Sequence, residues 1–193
     1  MRSVCIFCGS SDGIRPAYQA AARQMAEVLV RRGLRLVYGG GRVGLMGTLA
    51  DAALTAGGKV IGVIPEALVS KELAHTGLSD LRIVGSMHER KALMADLSDG
   101  FITMPGGFGT LEEFLEVLSW AQLSIHTKPC GLLDIENYYG PLIELFDRAV
   151  AEGFVLPGHR ALVLTEPDPD LLLDMMERYT PPITRKWIEP EER

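Results

Sequence analysis

The residues best suited to chemistry are concentrated in one glycine-rich stretch, Met104-Pro105-Gly106-Gly107-Phe108-Gly109-Thr110-Leu111-Glu112-Glu113. Glycines between a predicted strand and a predicted helix expose backbone amides, which bind anions such as phosphate. Thr110 and Glu113 have the spacing of a capping box, and from spacing alone this structural reading is the more frequent one. A carboxylate beside a phosphate site is unfavourable for binding alone, however, and points to chemistry on the ligand.

A second glycine-rich loop, Tyr38-Gly39-Gly40-Gly41-Arg42-Val43-Gly44, also joins a predicted strand to a predicted helix. Gly39, Gly41 and Gly44 formally match the G-x-G-x-x-G dinucleotide fingerprint, and Glu66 follows near the place of a ribose-binding acid. That fingerprint normally follows the first strand of its unit, whereas this loop follows the second. The match is therefore weak support for NAD and better support for a phosphate at Gly39, Gly40 and Gly41.

Two further loops follow predicted strands. The first, Cys8 to Gly13, has small residues and hydroxyls that suit a tight turn or a ligand equally well. In the second, Ser86 and Glu89 form a capping box at a helix start. Arg90 and Lys91 oppose the dipole of that helix, at a cost of ~0.3–1 kcal/mol each. They therefore indicate an anionic partner, either a ligand or a carboxylate, with a solvated basic pair as the alternative.

These loops can act together only if a sheet brings them to one of its edges, and the pattern of apolar residues predicts such a sheet. The predicted strands are Ser3 to Phe7, Leu34 to Tyr38, Lys59 to Ile64, Gly100 to Met104, Pro129 to Leu133 and Ala161 to Leu164. The predicted helices are Pro16 to Arg32, Leu45 to Ala56, Met87 to Leu97, Leu111 to Leu123, Tyr138 to Ala151 and Pro169 to Arg178. Such alternation predicts a single α/β domain over residues 1–180, with a parallel sheet, helices on both faces and ligands at the carboxyl ends of the strands. Residues 181–193 form a proline-rich, charged tail.

Composition excludes several classes of protein. The chain has 193 residues, 47% of them apolar and 23% charged, which is too apolar for a disordered chain. No run approaches the ~18 apolar residues of a membrane span. The net charge of −6 argues against a nucleic-acid partner. Three cysteines without framework spacing favour reduced thiols and a cytoplasmic location. The pair Cys5-x-x-Cys8 lies in a predicted strand whose side chains alternate in direction, so a shared redox or metal site is not expected.

The glycine-rich stretch resembles the PGGxGTxxE motif of the LOG (lonely guy) family, cytokinin riboside 5′-monophosphate phosphoribohydrolases long misannotated as lysine decarboxylases. Other stretches resemble the same family: Cys8-Gly9-Ser10-Ser11, the Gly39–Gly47 loop, Val63-Ile64-Pro65, Met87-His88 with Arg90-Lys91, and Trp120-Ala121-Gln122-Leu123. The resemblance covers roughly Val4 to Pro157. It implies a Rossmann-like, doubly wound fold, a homodimer, and hydrolysis of a nucleoside 5′-monophosphate to a free base and ribose 5-phosphate.

The resemblance also implies residue roles. Arg90 and Glu113 resemble the catalytic pair, and the whole glycine-rich stretch is expected to contact the nucleotide: Gly106, Gly107, Phe108, Gly109, Thr110, Leu111 and Glu112. Glu72, Lys91 and Ser119 resemble further residues that contact the nucleotide in this family. Glu113 could stabilise an oxocarbenium-like sugar or orient water. Arg90 could anchor an anion, orient Glu113 or stabilise the departing base, but a guanidinium does not give up its proton in proteins and so cannot act as a base.

Alternatives to this reading remain open. The same loops could serve a nucleotide-binding module without hydrolysis. A pyridoxal-phosphate decarboxylase is disfavoured, because none of the five lysines has a context suited to a Schiff base. No cofactor is expected, and no metal, since His88-Glu89-Arg90-Lys91-Ala92 fails the H-E-x-x-H pattern. The predicted helix Leu111 to Leu123 is apolar nearly all round, which favours burial against a second copy over an ordinary core helix.

Overall fold

A seven-stranded parallel sheet forms the centre of the computed structural model, which describes residues 1–69, 73–78 and 80–182. The strand order is β4-β3-β2-β1-β5-β6-β7. The strands are β1 (Ser3–Phe7), β2 (Arg35–Tyr38), β3 (Val60–Pro65), β4 (Asp80–Val84), β5 (Phe101–Thr103), β6 (Cys130–Leu133) and β7 (Val163–Glu166). The six predicted strands are thus confirmed, with boundaries shifted by no more than two residues. The inner strands are buried along almost their whole length, as continuous apolar runs predict.

Helices cover both faces of this sheet. They are α1 (Pro16–Arg31), α2 (Gly44–Thr55), α3 (Glu66–Val69), α4 (Met87–Asp96), α5 (Phe108–Gln122), α6 (Gly140–Ala151), α7 (Pro157–Arg160) and α8 (Pro169–Glu177). One core joins α1, α2 and α8 to one face of the sheet, and a second core joins α4, α5 and α6 to the other. The doubly wound, Rossmann-like arrangement is therefore confirmed.

Strand β4 and helices α3 and α7 escaped the sequence analysis. Strand β4 lies at the sheet edge and has no apolar run, since Asp80 and Arg82 alternate with Leu81 and Ile83. Helices α3 and α7 have four residues each, too few to show a helical period. The predicted tail lies outside the described residues, apart from Pro181 and Pro182.

The cysteines lie as the strand geometry predicts. All three thiols are free and buried. Cys5 packs into the core on the α5 face, whereas Cys8 packs into the core on the α1 face. The two sulfur atoms therefore belong to opposite sides of the sheet. Within the described part of the chain, no helix combines the length and the apolar character needed to cross a bilayer.

The strand order fixes where a ligand can enter. Strand β1 pairs with β2 on one side and with β5 on the other, so the chain changes winding direction between β1 and β5. A crevice forms outside the carboxyl ends of the strands at such a switch point. The loops after β1 and β5 meet there, and the Gly9 amide donates a hydrogen bond to the Pro105 carbonyl at 3.0 Å.

Candidate active site

The glycine-rich loop after β5 ends in a helix that begins three residues earlier than its sequence predicts. Gly107 is the N-cap and α5 starts at Phe108, with the first helical bond running from Leu111 N–H to Gly107 O. The capping box predicted for Thr110 and Glu113 is therefore wrong, since both residues lie inside the helix. Glycine serves as an N-cap without any side-chain bond. The residue before this N-cap packs closely on the helix, because a Cβ at Gly106 would collide with the Thr110 side chain.

This helix start leaves a row of amides available for an anion. No hydrogen-bond acceptor for the N–H groups of Gly107, Phe108, Gly109 or Thr110 is found among the described residues. A helix N-terminus without a side-chain cap combines such free donors with the positive end of the helix dipole. The predicted phosphate contacts at Gly107 to Thr110 thus coincide with unpaired donors at a helix start, a feature that binds anions in other proteins, and the contacts themselves stay a prediction.

Glu113 lies one and a half turns further along α5 and points to α4. Its Oε1 accepts a hydrogen bond of 2.7 Å from Arg90 Nη1, and both residues are buried, at 9% and 8% exposure. Burial raises the pKa of Glu113 above its ordinary value, while the Arg90 charge and hydrogen bond act in the opposite direction. The two predicted catalytic residues are therefore joined as one buried ion pair.

Arg90 is itself held from three sides. Its Nε donates to the Val63 carbonyl within β3 (3.1 Å), and Nη1 also contacts the Met87 sulfur (3.2 Å). Gly39 packs against the guanidinium so closely that a Cβ there would collide with Nη2. Gly39, which was predicted to contact the nucleotide, thus adjoins the site by its contact with the Arg90 guanidinium. Sequence reasoning did not identify Val63 as a partner, because a carbonyl contact leaves no side-chain signal.

Helix α4 begins as predicted. Ser86 is its N-cap and accepts a bond from the Glu89 amide, while the Glu89 carboxylate accepts from the Gly85 amide instead of that of Ser86. Lys91 is 8% exposed and donates to Glu112 (2.5 Å) and Glu116 (2.9 Å). Burial lowers the pKa of Lys91, but the two carboxylates outweigh it and the pKa lies above its ordinary value. The expected anionic partners of the cations on α4 are therefore carboxylates, and the solvated-pair alternative is wrong.

Two adjoining cavities open at this edge of the sheet. The first, the Glu113 cavity, has a volume of about 290 Å³ and is lined by Arg90, Glu113 and Gly107–Thr110 together with Cys8, Ser10, Met46 and Leu68. The second, the tyrosine cavity, has about 230 Å³ and is lined by Gly9–Gly13, Tyr18, Leu45, Pro105–Gly107 and Tyr138. Ser10 and Gly107 line both cavities, so the two are neighbours.

Three other predicted contacts, Gly40, Gly41 and Ser119, line neither cavity. Gly40, at φ +71°, packs against β3, and Gly41 bridges to Ala74. Ser119 is exposed on α5, where its hydroxyl donates to the Leu115 carbonyl. Glu72 lies outside the described residues. Within residues 1–69, 73–78 and 80–182, no cluster of three His, Cys, Asp or Glu side chains is arranged to hold a metal ion.

Solved structures share this fold. A molybdenum cofactor binding protein from Rippkaea orientalis superposes with a TM-score of 0.69 at 20% identity, covering 92% of this chain and 96% of that one. A molybdenum cofactor carrier protein from Chlamydomonas reinhardtii gives 0.68 at 18% identity, with the same coverage. At such low identity the likeness shows the fold alone. It places the chain among the Rossmann-like α/β proteins.

Sequence relatives are much more similar. A probable cytokinin riboside 5′-monophosphate phosphoribohydrolase of Oryza sativa subsp. japonica is 52% identical over 180 residues, covering 93% of this chain and 79% of the relative. A cytokinin riboside 5′-monophosphate phosphoribohydrolase of Arabidopsis thaliana is 47% identical over 193 residues, covering 98% and 89%. A family model described as possible lysine decarboxylase matches residues 46–176. The chain therefore belongs to the LOG family of phosphoribohydrolases.

Proposed function

We propose that this chain hydrolyses the N-glycosidic bond of nucleoside 5′-monophosphates, releasing a free base and ribose 5-phosphate. The observation that carries the proposal is the buried Arg90–Glu113 pair, 2.7 Å apart in the cavity onto which the free amides of α5 open. The names of the relatives support the same reaction. We extend the substrate class to both AMP and cytokinin riboside monophosphates, since both carry the ribose 5-phosphate to which the proposed contacts are assigned.

Phosphate binding positions the sugar. The free amides of Gly107 to Thr110 hold the monoester oxygens, and the helix dipole favours their negative charge. Because these residues and Glu113 line the same cavity, a phosphate held by the amides places the attached ribose beside the carboxylate. Binding energy from the phosphate, which does not react, thereby lowers the barrier to bond cleavage at the sugar.

Glu113 acts on the sugar and on water. Cleavage of the bond between C1′ and the base nitrogen develops positive charge on the ribose, which an adjacent carboxylate stabilises. A water molecule then forms the new C1′–O bond, and its proton passes by way of the carboxylate to the departing base. Arg90 orients Glu113 and, by opposing the effect of burial, favours its ionised form.

Removing the carboxylate tests this mechanism. Glu113→Gln keeps the size of the side chain but removes its charge, so we expect release of adenine from AMP to fall by roughly 10²–10⁴-fold. Glu144→Gln, an exposed position on α6, is the matched control and should hydrolyse at the wild-type rate. Base and ribose 5-phosphate are separated by chromatography. Nucleotide binding without turnover in the wild type would instead support the non-catalytic binding module.

Base preference requires its own measurement. A panel of AMP, isopentenyl-AMP and other nucleoside monophosphates, compared by kcat/KM, tests the substrate class. Equal values for AMP and isopentenyl-AMP would support the broad class proposed here. A large preference for the isopentenyl nucleotide would restrict the function to cytokinin release.

We further propose that the chain forms a homodimer through α5. Leu115 is 41% exposed, and Leu111 and Leu118, which lie on the same face of the helix, are half-buried. Such an apolar stripe is stabilised when a second copy covers it. Sedimentation should show a dimer at micromolar concentration and a monomer after Leu115→Glu, whereas Phe154→Glu, at another exposed apolar position, should remain dimeric. A monomeric wild type would contradict the proposal.

Lys91, Glu112 and Ser119 remain proposed nucleotide contacts. The free, buried thiols support a reducing compartment, and we propose the cytoplasm. The net charge of −6 supports a small-molecule substrate over a nucleic acid.

A further inference from the structure

We infer that Tyr138 and Tyr139 are positioning residues, which fix the orientation of the amides that receive the substrate phosphate. The inference rests on the function proposed above. Neither tyrosine belongs to the glycine-rich motif or to the catalytic pair. Both lie just before α6.

Three consecutive carbonyl groups of the loop are held from outside it. The Tyr139 hydroxyl donates to the Met104 carbonyl at 2.7 Å, and the Gly9 amide donates to that of Pro105 at 3.0 Å. The Tyr138 hydroxyl donates to the Gly106 carbonyl at 2.5 Å. These hydrogen bonds therefore hold the backbone in place as far as Gly106, and the free amides begin at the next residue, Gly107.

Because the peptide bond is planar, the hydrogen bond to the Gly106 carbonyl also fixes the direction of the first free N–H group, that of Gly107. In a trans peptide, the carbonyl of Gly106 and the N–H of Gly107 point in opposite directions. Tyr138 lines the tyrosine cavity and draws the Gly106 carbonyl toward itself. The Gly107 N–H accordingly points away from Tyr138, and Gly107 is a residue that both cavities share.

The backbone just before the tyrosines adopts an unusual conformation. Glu136 and Asn137 adopt φ of 56° and 55°, a left-handed conformation that is unusual outside glycine. The Tyr139 amide donates to Asp134 Oδ1 at 2.7 Å, which holds this bend closed. The two rings meet edge to face, with centroids 5.0 Å apart. Strain of this kind persists where the surrounding contacts enforce it, and it clusters at functional sites.

Loss of a tyrosine hydroxyl should therefore affect phosphate recognition. In Tyr138→Phe the ring remains, but the Gly106 carbonyl loses its donor and the peptide that carries the Gly107 N–H is free to rotate. We expect KM for AMP and Kd for ribose 5-phosphate to rise together, by about 3- to 10-fold, which is the effect of one hydrogen bond. The change in kcat should be smaller than that in KM.

The experiment compares Tyr138→Phe and Tyr139→Phe with wild type and with Tyr179→Phe. Tyr179 lies beyond α8, apart from the loop, and its variant should match wild type. Calorimetry with ribose 5-phosphate and with ribose separates phosphate recognition from sugar recognition, since ribose binding should not change. Thermal unfolding verifies that each variant is folded. Tyr138→Phe is the decisive variant should the fully buried Tyr139 prove essential for folding.

The outcomes separate this inference from the proposed function. If wild type releases no base, hydrolysis is contradicted, while the ribose 5-phosphate titrations still test the tyrosines. If a folded Tyr138→Phe variant binds ribose 5-phosphate as tightly as wild type, the positioning role is overturned. Equal weakening of ribose and ribose 5-phosphate would overturn it as well, because a general structural defect would then be the cause.

Discussion

The guanidinium of Arg90 occupies the space into which any side chain at Gly39 would project. Gly39 lies in the glycine-rich loop after β2 and makes room for the Arg90 guanidinium on α4. The second glycine-rich stretch, after β5, ends at Glu113, whose carboxylate pairs with that guanidinium. Both stretches therefore meet at one ion pair. The absence of a Cβ at position 39 thus serves the contact with Arg90, in addition to any contact with a ligand.

Substitution of this glycine should impair catalysis more than folding. In Gly39→Ala the guanidinium must move, which shifts the partner that orients Glu113. We expect kcat for nucleotide hydrolysis to fall about 10- to 100-fold, because small misplacements of catalytic groups are costly. In the matched control Gly85→Ala, the new methyl group meets only the flexible tip of Glu89 and kcat should be unchanged. A wild-type kcat in Gly39→Ala would contradict the proposed contact.

The pH dependence of hydrolysis should report the pKa of Glu113. Burial raises this pKa, so the acidic limb of kcat/KM should lie above the ordinary range of a glutamate, with activity lost as pH falls. Arg90 opposes the rise, and Arg90→Gln should therefore move the limb to higher pH in addition to lowering the rate. Arg148→Gln, on the exposed side of α6, should leave the limb in place. An acidic limb that Arg90→Gln does not move would show that Glu113 is not the titrating group.

Lys91 should stabilise the contact between α4 and α5. Lys91→Met keeps the aliphatic stem but removes the charge that Glu112 and Glu116 share. Glu116 Oε2 is buried with no hydrogen-bond partner in the described ranges, so its carboxylate would lose its main compensation. We expect the free energy of unfolding to fall by about 1–2 kcal/mol, between the values for exposed and buried pairs.

Urea unfolding of Lys91→Met measures this loss, and the double variant Lys91→Met with Glu116→Gln provides the control. Neutralising Glu116 should restore part of the stability, because the carboxylate left without a cation is then removed. Equal losses in the single and double variants would argue that the contribution of Lys91 is packing of its stem alone.

Asp99 should make the free energy of unfolding depend on pH, because its carboxylate holds the start of β1. Its Oδ2 accepts the amides of Arg2 (2.6 Å) and Ser3 (3.1 Å), just before and at the start of β1. Burial raises the pKa of Asp99, but these bonds outweigh it and the folded pKa is lowered. The contribution to stability is therefore full above the unfolded pKa of about 3.9 and is lost as pH falls through the folded value.

Replacement of this carboxylate should remove that dependence. We expect Asp99→Asn to cost about 1 kcal/mol of unfolding free energy at pH 7 and to flatten its decline between roughly pH 5 and pH 2. Asp96→Asn, an exposed residue at the end of α4, should keep the wild-type curve. Urea titrations across this pH range compare the three proteins. Parallel curves for Asp99→Asn and wild type would exclude Asp99 as the source of the pH dependence.

Local patterns predicted the fold well because the inner strands and long helices are apolar runs and amphipathic periods. Strand β4 escaped detection because two of its five residues are charged, at a sheet edge. The start of α5 was misplaced because Thr110 and Glu113 mimic a capping box, whereas the helix actually begins at a glycine N-cap. Tyr138 gave no signal either, since a hydroxyl that holds a distant carbonyl leaves no spacing in the sequence.

The sheet extends from β1 in two directions. The chain up to α4 builds β1 to β4, and the chain after it builds β5 to β7. Arg90 belongs to the earlier portion and Glu113 to the later one, so neither portion contains a complete ion pair. The candidate crevice is accordingly also the boundary between the two halves of the sheet, and the contact between Arg90 and Glu113 exists only while both halves are assembled.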